Sequence, residues 1–289
     1  MTTVSILTPS YNYAQFLRAA LASVSAQETC ESVEHVVSDG ASSDGTRDLL
    51  RSFQSRHRLV WSSSPDRGQS DALNRALEAS SGDIIGWLNA DDVYLPGAIQ
   101  TVTDYFSAHP DVGVVFGDVV MIHEDGAVAR LIALYDRPRL PLRWRGCMLQ
   151  STATFFRRDV LGDAPWDVQL RTVMDWDVFL GLQGSGVAFA HLARPLAGFR
   201  LHSAQVTHGL DSRSTDEHRI VRARHRNAAH TAALARPIGD AIHGLKKVRA
   251  GSYRREGAAR ALASLPLVAG DGSVDETTWR KVLDLYRAR

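Results

Sequence analysis

The chain has 289 residues, of which 44% are hydrophobic, and its formal net charge at pH 7 is +1. This composition supplies a sizeable core, and no apolar run reaches the eighteen or so residues of a membrane-spanning helix, so an integral membrane protein is not expected. The N-terminus lacks the basic segment of a secretory signal, and the two cysteines, Cys30 and Cys147, lie far apart. We therefore predict a cytoplasmic protein with reduced thiols.

The first half of the chain alternates short apolar runs with amphipathic segments. Strands are predicted over residues 4–8, 33–38, 59–62, 84–88 and 112–116. Helices are predicted between them, beginning near Asn12, Ser42, Gln69 and Leu95. This order is typical of an α/β fold in which helices cover a mostly parallel sheet, and the polar residues that follow the first four strands would then meet at one ligand-binding edge.

The charge is distributed unevenly along the chain. Residues 205–289 hold 16 Lys and Arg against 9 Asp and Glu, a net charge of +7, whereas residues 1–204 carry −6. The acidic part is the one that would attract a cation, and the basic part is the one that would attract an anionic surface.

The fourth predicted strand ends in a cluster of negative charge. The stretch IIGWLNADD (84–92) is apolar as far as Leu88 and then presents Asn89, Asp91 and Asp92. Neighbouring carboxylates repel each other unless a positive charge compensates them, and Mg²⁺ or Mn²⁺ does so through oxygen ligands, often together with phosphate oxygens. Because the glycine motifs of dinucleotide and P-loop sites and the hydrolase nucleophile elbow do not occur, a metal and a phosphate-bearing ligand remain.

Four stretches carry a resemblance to a known family. They are ILTPSYN (6–12), VVSDGASSDGT (36–46), PDRGQSDALNRALEASSGDIIGWLNADD (65–92) and MDWDVFLGL (174–182). In this order and spacing they resemble the inverting family-2 glycosyltransferases of the GT-A fold, between residues 3 and 205. The resemblance implies a Rossmann-like, mixed and mostly parallel sheet flanked by helices, in a catalytic domain of residues 1–210 followed by a basic helical C-terminal extension of residues 211–289.

The resemblance also implies an activity and a donor site. The enzyme would move a sugar from a UDP-, dTDP- or GDP-sugar to a hydroxyl of a saccharide or lipid-linked saccharide, in cell-surface polysaccharide or glycolipid biosynthesis. The nucleotide would be bound by Thr8, Pro9, Ser10, Tyr11, Asn12, Asp39, Arg67, Gly68, Asn74 and Asn89. Tyr11 would lie against the base, and Asp39 would accept a hydrogen bond from the base edge. A turn cap at Asp39 and a surface role for Asn74 are the structural alternatives.

Metal ligands are implied in the same way. Asp91 would bind Mn²⁺ or Mg²⁺ on the diphosphate, and His202 would complete the site, with His208 as the alternative histidine. Asn89 stands where the family more often has aspartate, and an amide adds no charge for the cation. Arg200, two residues before His202, would meet a phosphate or serve no ligand at all.

The catalytic base is implied at Asp175, which would take the proton of the acceptor hydroxyl. Met174 stands where the family has an acid, and a helix cap is the structural alternative for Asp175. Asp177 is predicted to complement the helix dipole, and Trp176 either stacks on a sugar or packs in the core.

The C-terminal tail lies outside the resemblance. From Glu217 to Arg260 there are 11 Lys and Arg against 3 Asp and Glu. Apolar residues recur at helical spacing beside these cations, at Ile238, Ile242, Leu245 and Val248. Such a helix can lie on anionic lipid at the inner face of a membrane, or it can cap the catalytic domain with a solvated basic face. Nucleic acid is not an expected partner, because few aromatic residues accompany the basic ones and no binding motif is present.

Two rival functions fit parts of the pattern. A sugar-1-phosphate nucleotidyltransferase shares the architecture, but it has a glycine-rich basic loop after the first strand, where this chain reads TPSYNYAQF. A catalytically inactive nucleotide-sugar or glycan-binding module would accommodate Met174 and Asn89. Substitution of Asp175 separates this module from the enzyme, because only the enzyme would lose turnover while keeping donor affinity.

Overall fold

A computed structural model of the chain describes residues 2–136, 139–144, 146–203, 205, 212–225 and 235–287. The strands are β1 (Thr3–Ser10), β2 (Ser32–Asp39), β3 (Arg58–Ser63), β4 (Ile84–Trp87), β5 (Val93–Tyr94), β6 (Val112–Ile122), β7 (Val128–Ile132), β8 (Thr154–Arg157) and β9 (Ala188–Arg200). The helices are α1 (Ala14–Ser25), α2 (Thr46–Ser52), α3 (Gln69–Glu78), α4 (Ala98–Ala108), α5 (Arg139–Trp144), α6 (Arg158–Leu161), α7 (Met174–Gly184), α8 (Ser212–Arg224), α9 (Ala235–Arg249), α10 (Ser252–Ala259) and α11 (Glu276–Arg287).

The strands form one mixed sheet in the order β3-β2-β1-β4-β8-β6-β9-β5, with β7 paired to β6. The first four strands in this order are parallel, and the long β6–β9 pairing is parallel as well. The antiparallel neighbours β8, β7 and β5 have shorter registers. Ser10 lies opposite Asp39, and Asp39 lies opposite Ser63, so the carboxyl ends of β1, β2 and β3 are level at one edge.

Helices cover both faces of the sheet, which explains the unbroken apolar run of β4. Ile84 belongs to the core under α1, α2 and α4, whereas its neighbour Ile85 belongs to the core under α3 and α7. The apolar faces predicted for α1 and α3 are buried as expected.

The C-terminal residues share a core with the sheet. Trp279 of α11 and Leu267 pack in one cluster with Val93 and Val120 of β5 and β6. Asp118 of β6 is fully buried and accepts hydrogen bonds from His191 and from the hydroxyl of Tyr286 in α11, both at 2.7 Å. The segment predicted as a helical extension therefore contains helices, and it packs on the sheet.

Some boundaries differ from the prediction. Strand β6 continues to Ile122, because the polar Asp118 is buried among hydrogen-bond donors and does not end it. Helix α4 begins at Ala98, since residues 93–94 pair with β9 and Gly97 adopts a left-handed conformation with φ 75°. Among the described helices, none combines the length and the apolar composition needed to cross a bilayer.

Candidate active site

The loop after β2 is organised by the buried carboxylate of Asp39. Its oxygens accept hydrogen bonds from the Ser42 amide at 3.0 Å, from the Ser42 hydroxyl, and from the Ser63 hydroxyl at 2.6 Å. A carboxylate offers about four acceptor positions, so one position is left. The turn-capping role named as the structural alternative is thus present, and it fixes the orientation of the carboxylate at the sheet edge.

The loop after β1 brings an aromatic ring to the same edge. Asn12 has a left-handed backbone with φ 56°, which asparagine tolerates, and its side chain accepts the Ser43 amide at 2.9 Å. The ring of Tyr11 is 60% exposed. A Cβ at Gly40 would lie 3.2 Å from that ring and 2.8 Å from the Asp66 carboxylate, so glycine allows both groups to approach the backbone.

Three other residues predicted in this loop are buried in β1. The Thr8 hydroxyl pairs with Nε2 of His35 at 2.8 Å, and burial lowers the pKa of His35 to about 3. The Thr8 hydroxyl is therefore buried and paired within the protein, and Pro9 is covered as well. The Ser10 hydroxyl is buried and has no hydrogen-bond partner in the described part of the chain.

The loop after β3 contributes an exposed cation. Gly68 has φ 113°, and its amide donates to Asp66 at 2.8 Å. The guanidinium of Arg67 is exposed and donates to Asp71 at 2.8 Å, and this bond lowers the pKa of the Asp71 carboxyl. Burial raises the pKa of Asp66 above its ordinary value.

Asn74 does not reach this edge as a ligand-binding side chain. Its amide donates to the Trp166 carbonyl at 2.7 Å, and its oxygen accepts the Trp166 amide at 3.2 Å. Both functional atoms are occupied, so Asn74 joins α3 to the segment that precedes α7.

The stretch after β4 meets the end of β9, as the resemblance implied. Oδ2 of Asp91 lies 2.9 Å from Nε2 of His202, although the residues are 111 positions apart. The imidazole is buried against the rings of Tyr13 and Phe16. His208 lies outside the described residues.

The structure explains why position 89 holds an amide side chain and not a carboxylate. Oδ1 of Asn89 accepts the Trp87 indole N–H and the Gln69 amide, each at 2.8 Å, and Nδ2 donates to Asp92 at 3.1 Å. An aspartate could not donate to the buried Asp92 carboxyl and would repel it. Asn89, which departs from the family pattern, thus gives the Asp92 carboxyl a hydrogen-bond donor, and the polar atoms of Asn89 are themselves engaged within the protein.

The neighbouring charges are buried together. Asp92 accepts the Arg200 amide at 2.9 Å, and burial, together with the charge of Asp91, raises the pKa of Asp92 well above its usual range. The Arg200 guanidinium is buried and donates to the carbonyls of Asp91 at 3.0 Å and Glu124 at 2.8 Å. Nε and Nη1 of Arg200 are therefore engaged by backbone oxygens and are not presented to a phosphate.

The two carboxylates also act on Tyr13. Burial, then Asp91 and Asp92, raise the pKa of Tyr13 to about 12. The described residues contain no group of three or more His, Cys, Asp and Glu side chains that could hold a metal ion. An ion at this place would therefore have Asp91 and His202 as protein ligands and would take its other ligands from phosphate or water oxygens.

Asp175 lies in the first turn of α7. Its Oδ1 accepts the Trp176 amide at 2.7 Å, and its Oδ2 accepts the Cys147 thiol at 3.6 Å. Burial raises the pKa of Asp175 above the ordinary aspartate value. Met174, where the family has an acid, is a core residue. Trp176 is fully buried, and its indole N–H donates to the Leu142 carbonyl at 2.8 Å. Trp176 therefore packs in the core and does not stack on a sugar.

Helix α8 anchors the start of α7, which sequence reasoning missed. The buried Glu217 accepts the Arg171 amide at 3.0 Å, and the Thr172 amide and hydroxyl at 2.8 Å each. The available signal was that Glu217 is one of 3 acidic residues in a segment with 11 Lys and Arg.

Asp177 belongs to the same contact between α7 and α8. It is buried and accepts Arg224 at 2.5 Å and His225 at 2.8 Å. Its charge therefore joins the two helices, in addition to complementing the dipole of α7 as predicted.

Comparison with known proteins identifies relatives of this chain. The family model described as Glycosyl transferase family 2 matches residues 5–163. A PGL/p-HBAD biosynthesis glycosyltransferase of Mycobacterium bovis (strain BCG / Pasteur 1173P2) is 32% identical over 177 residues, which is 60% of this chain, and the chain spans 66% of that relative's length.

Two solved structures resemble the whole chain. S. aureus TarS 1-349 in complex with UDP-GlcNAc has a TM-score of 0.64 at 15% identity and covers 99% of this chain and 79% of its own. The mannosyltransferase PcManGT from Pyrobaculum calidifontis in complex with GDP-Man and Mn²⁺ has a TM-score of 0.55 at 19% identity, and the match covers 98% of this chain and 84% of the mannosyltransferase. This likeness confirms the predicted fold class.

Proposed function

The chain belongs to glycosyl transferase family 2, and on this premise we propose that it transfers a sugar from a nucleoside-diphosphate sugar to an acceptor hydroxyl with inversion at the anomeric carbon. The observation that carries the proposal is the meeting of Asp91 and His202 at 2.9 Å, beyond the strand end where the acidic stretch leaves the core. Ligands of α/β folds bind at this edge.

The donor side is supported by the loops after β1, β2 and β3. We assign the nucleoside base to the exposed ring of Tyr11, because an aromatic face binds a base by stacking. Asp39 has one acceptor position left for an N–H of the base, and the unpartnered Ser10 hydroxyl is a group that a ligand would satisfy. Arg67 and Gly68 are assigned to the neighbourhood of the diphosphate.

Mn²⁺ or Mg²⁺ is the proposed cofactor, held by Asp91 and His202. The residues fit such an ion, since a carboxylate oxygen and an imidazole nitrogen converge beside a second carboxyl. Burial raises the pKa of Tyr13 to about 12, and the charges of Asp91 and Asp92 add to this shift, so the two carboxylates supply a negative field that a cation would relieve. When bound, the ion would neutralise charge on the leaving diphosphate as a Lewis acid.

Asp175 is proposed as the general base. A carboxyl whose pKa is raised by burial is a better proton acceptor near neutral pH than an ordinary one. The strong Trp176 amide bond holds Oδ1, so we assign proton transfer to Oδ2, whose only described partner is the weak thiol donor of Cys147. The acceptor oxygen would bond to the anomeric carbon as the diphosphate leaves from the opposite side, which inverts the configuration.

The acceptor is proposed to be a saccharide or a lipid-linked saccharide handled in the cytoplasm. The mycobacterial relative is named for PGL/p-HBAD biosynthesis. We propose by analogy that this chain, too, acts in glycolipid or cell-surface polysaccharide biosynthesis.

Thermal melting tests the donor and metal parts of the proposal. Wild type and Asp91→Ala are melted with UDP, dTDP, GDP and ADP, each with and without Mn²⁺, and Asp284→Ala, which removes an exposed acid of α11, serves as the control. A ligand at about a hundred times its dissociation constant adds roughly 2.7 kcal/mol to the free energy of unfolding. We expect one diphosphate to raise the melting temperature only with Mn²⁺, and only in wild type and the control. No shift with any nucleotide would refute the donor site.

Release of nucleoside diphosphate from the identified donor tests catalysis. Asp175→Asn should keep the melting shift and lose turnover, because the base acts on the acceptor or on water and not in donor binding. Unchanged release by Asp175→Asn would contradict the assignment of the base, and no release by wild type with any acceptor would favour the binding module.

A further inference from the structure

Helix α9 turns its apolar residues toward solvent. Ile238, Leu245 and Val248 are 44%, 53% and 64% exposed, whereas the polar His243 and Lys247 face the protein. A surface helix ordinarily buries its apolar stripe and exposes its polar face. The reversal leaves a row of aliphatic side chains without a partner in the described part of the chain.

The inward contacts of α9 explain this orientation. Nδ1 of His243 lies 2.7 Å from the Tyr135 hydroxyl, and the Lys247 ammonium pairs with Glu256 of α10. Lys246 lies 5.6 Å from the centre of the Tyr135 ring. Because these polar bonds and cation–π contacts fix the rotation of the helix, its apolar residues cannot turn inward without breaking them.

The exposed residues form a narrow stripe. Ile238, Ala241, Leu245 and Val248 follow one another at intervals of three and four positions, and at about 100° per residue they occupy an arc of about 80°. The exposed Arg249 lies at the border of the stripe. Ile242, which the sequence pattern also placed on the apolar face, is half-buried.

The charges around the stripe indicate what it binds. Arg249 is exposed at the border of the stripe, and Arg260, which follows α10, is exposed as well. Tyr253 lies in the first turn of α10; its ring is 49% exposed and its centre is 4.8 Å from the Lys247 ammonium. Asp240, the acidic residue of α9, is about 160° from Ile238 and about 80° from Val248 around the helix, so it lies outside the stripe. Residues 205–289 carry +7 and the preceding 204 residues carry −6, so an anionic surface attracts this end of the molecule and repels the other.

We propose that the exposed face of α9, with Tyr253, is a docking surface for an anionic lipid bilayer. The aliphatic stripe enters the headgroup boundary, the arginines meet lipid phosphates, and the tyrosine lies at the interface, where aromatic rings are favoured. A second copy of the chain fits this face poorly, because a symmetric contact would bring the same arginines together. This surface would decide where in the cell the protein is held, and its binding to lipid does not depend on the proposed sugar transfer.

Co-sedimentation of the full chain with vesicles tests the proposal. The vesicles are phosphatidylcholine alone or phosphatidylcholine with phosphatidylglycerol. We expect sedimentation only with the anionic vesicles, and weaker sedimentation as salt screens the arginines. Leu245→Ser should lower the partition coefficient about tenfold through lost apolar burial, and Arg249→Gln should lower it about fivefold.

Matched surface variants control for these changes. Ile220 of α8 is 50% exposed, as apolar as Leu245 and outside the stripe, so Ile220→Ser should retain full binding. Arg56→Gln removes an exposed cation from the acidic part of the chain and should also have no effect. Melting temperatures establish that each variant is folded.

Three sedimentation results would overturn the proposal. They are equal sedimentation with both vesicle types, equal loss of binding in Ile220→Ser and Leu245→Ser, and no loss in Leu245→Ser. Light scattering of the free protein tests whether a second copy of the chain occupies this face instead. A dimer that Leu245→Ser dissociates would assign the stripe to a second copy of the chain and would overturn the lipid assignment.

Discussion

Replacing Glu217 with alanine removes the carboxylate that ties helix α8 to the residues before α7. That carboxylate accepts the Arg171 amide at 3.0 Å and the Thr172 amide and hydroxyl at 2.8 Å. A hydrogen bond to a charged group contributes about 1.5–3 kcal/mol, but the three bonds share one side chain and water can reach part of the segment. We therefore expect the free energy of unfolding to fall by about 3 kcal/mol and the melting temperature to fall by about 5 °C.

Activity should change as well, because Asp175 follows Thr172 by three residues. When the anchor is lost, the first turn of α7 is no longer held in one position, and kcat for diphosphate release should fall more than KM for the donor changes. Glu217→Gln keeps one acceptor oxygen and places an N–H₂ group against a donor, so it should lie between wild type and alanine. Asp216→Ala is the matched control, since Asp216 is the neighbouring acid and is exposed.

Urea unfolding and steady-state kinetics of the three variants decide between outcomes. An unfolding free energy within about 0.5 kcal/mol of wild type for Glu217→Ala would refute the reasoning, because that is the range of ordinary surface substitutions. A clear loss of stability with unchanged kcat would show that Glu217 stabilises the fold without positioning Asp175.

Substitutions at two further positions test the chemistry of the site. Burial raises the pKa of Asp175, so kcat should fall as the pH decreases through a value above the pKa of an ordinary aspartate. Cys147→Ala removes a hydrogen bond that lowers the pKa of Asp175 and should move this fall in kcat to higher pH. Cys147→Ser should move the fall to lower pH, and a pH–rate profile measures both shifts. Asn89→Asp removes the hydrogen-bond donor to Asp92 and adds a negative charge beside Asp91. Melting without metal should therefore show that the free energy of unfolding falls by about 2 kcal/mol, while the affinity for Mn²⁺ should rise about tenfold. An unchanged response to Mn²⁺ would place the ion elsewhere.

Local patterns predicted five of the six strands in the first half of the fold; the two-residue strand β5 was not predicted. The apolar runs and helical stripes of residues 4–116 are short-range features, and each strand expected there is present. Strand β9 was not predicted, because Pro195 and Gly198 interrupt its apolar alternation and its partners, β6 and β5, are distant in sequence. Its formation depends on two register shifts beside Asp118, which no local pattern indicates.

The ligand roles of the site residues stay predictions, but the structure shows which of these residues come together and which of their polar atoms pair within the protein. Asp91 and His202 meet as the resemblance implied. Thr8, Asn74 and Arg200 occupy the expected sequence positions, but their polar atoms pair with groups from distant segments. A motif records which residue type is present, whereas burial and pairing depend on the complete fold.

The two departures from the family pattern have a common physical consequence. Asn89 and Met174 each replace an acid, and each removes one negative charge from the site. The amide donates to Asp92, which is buried and would otherwise face a second carboxylate, and the methionine fills the core under α7. The negative charge available to a cation is thereby concentrated on Asp91, with Asp92 held behind it by the Arg200 amide. We therefore expect this chain to bind its divalent ion at the usual position but more weakly than relatives with two exposed carboxylates, and to depend more on the donor diphosphate for the remaining ligands.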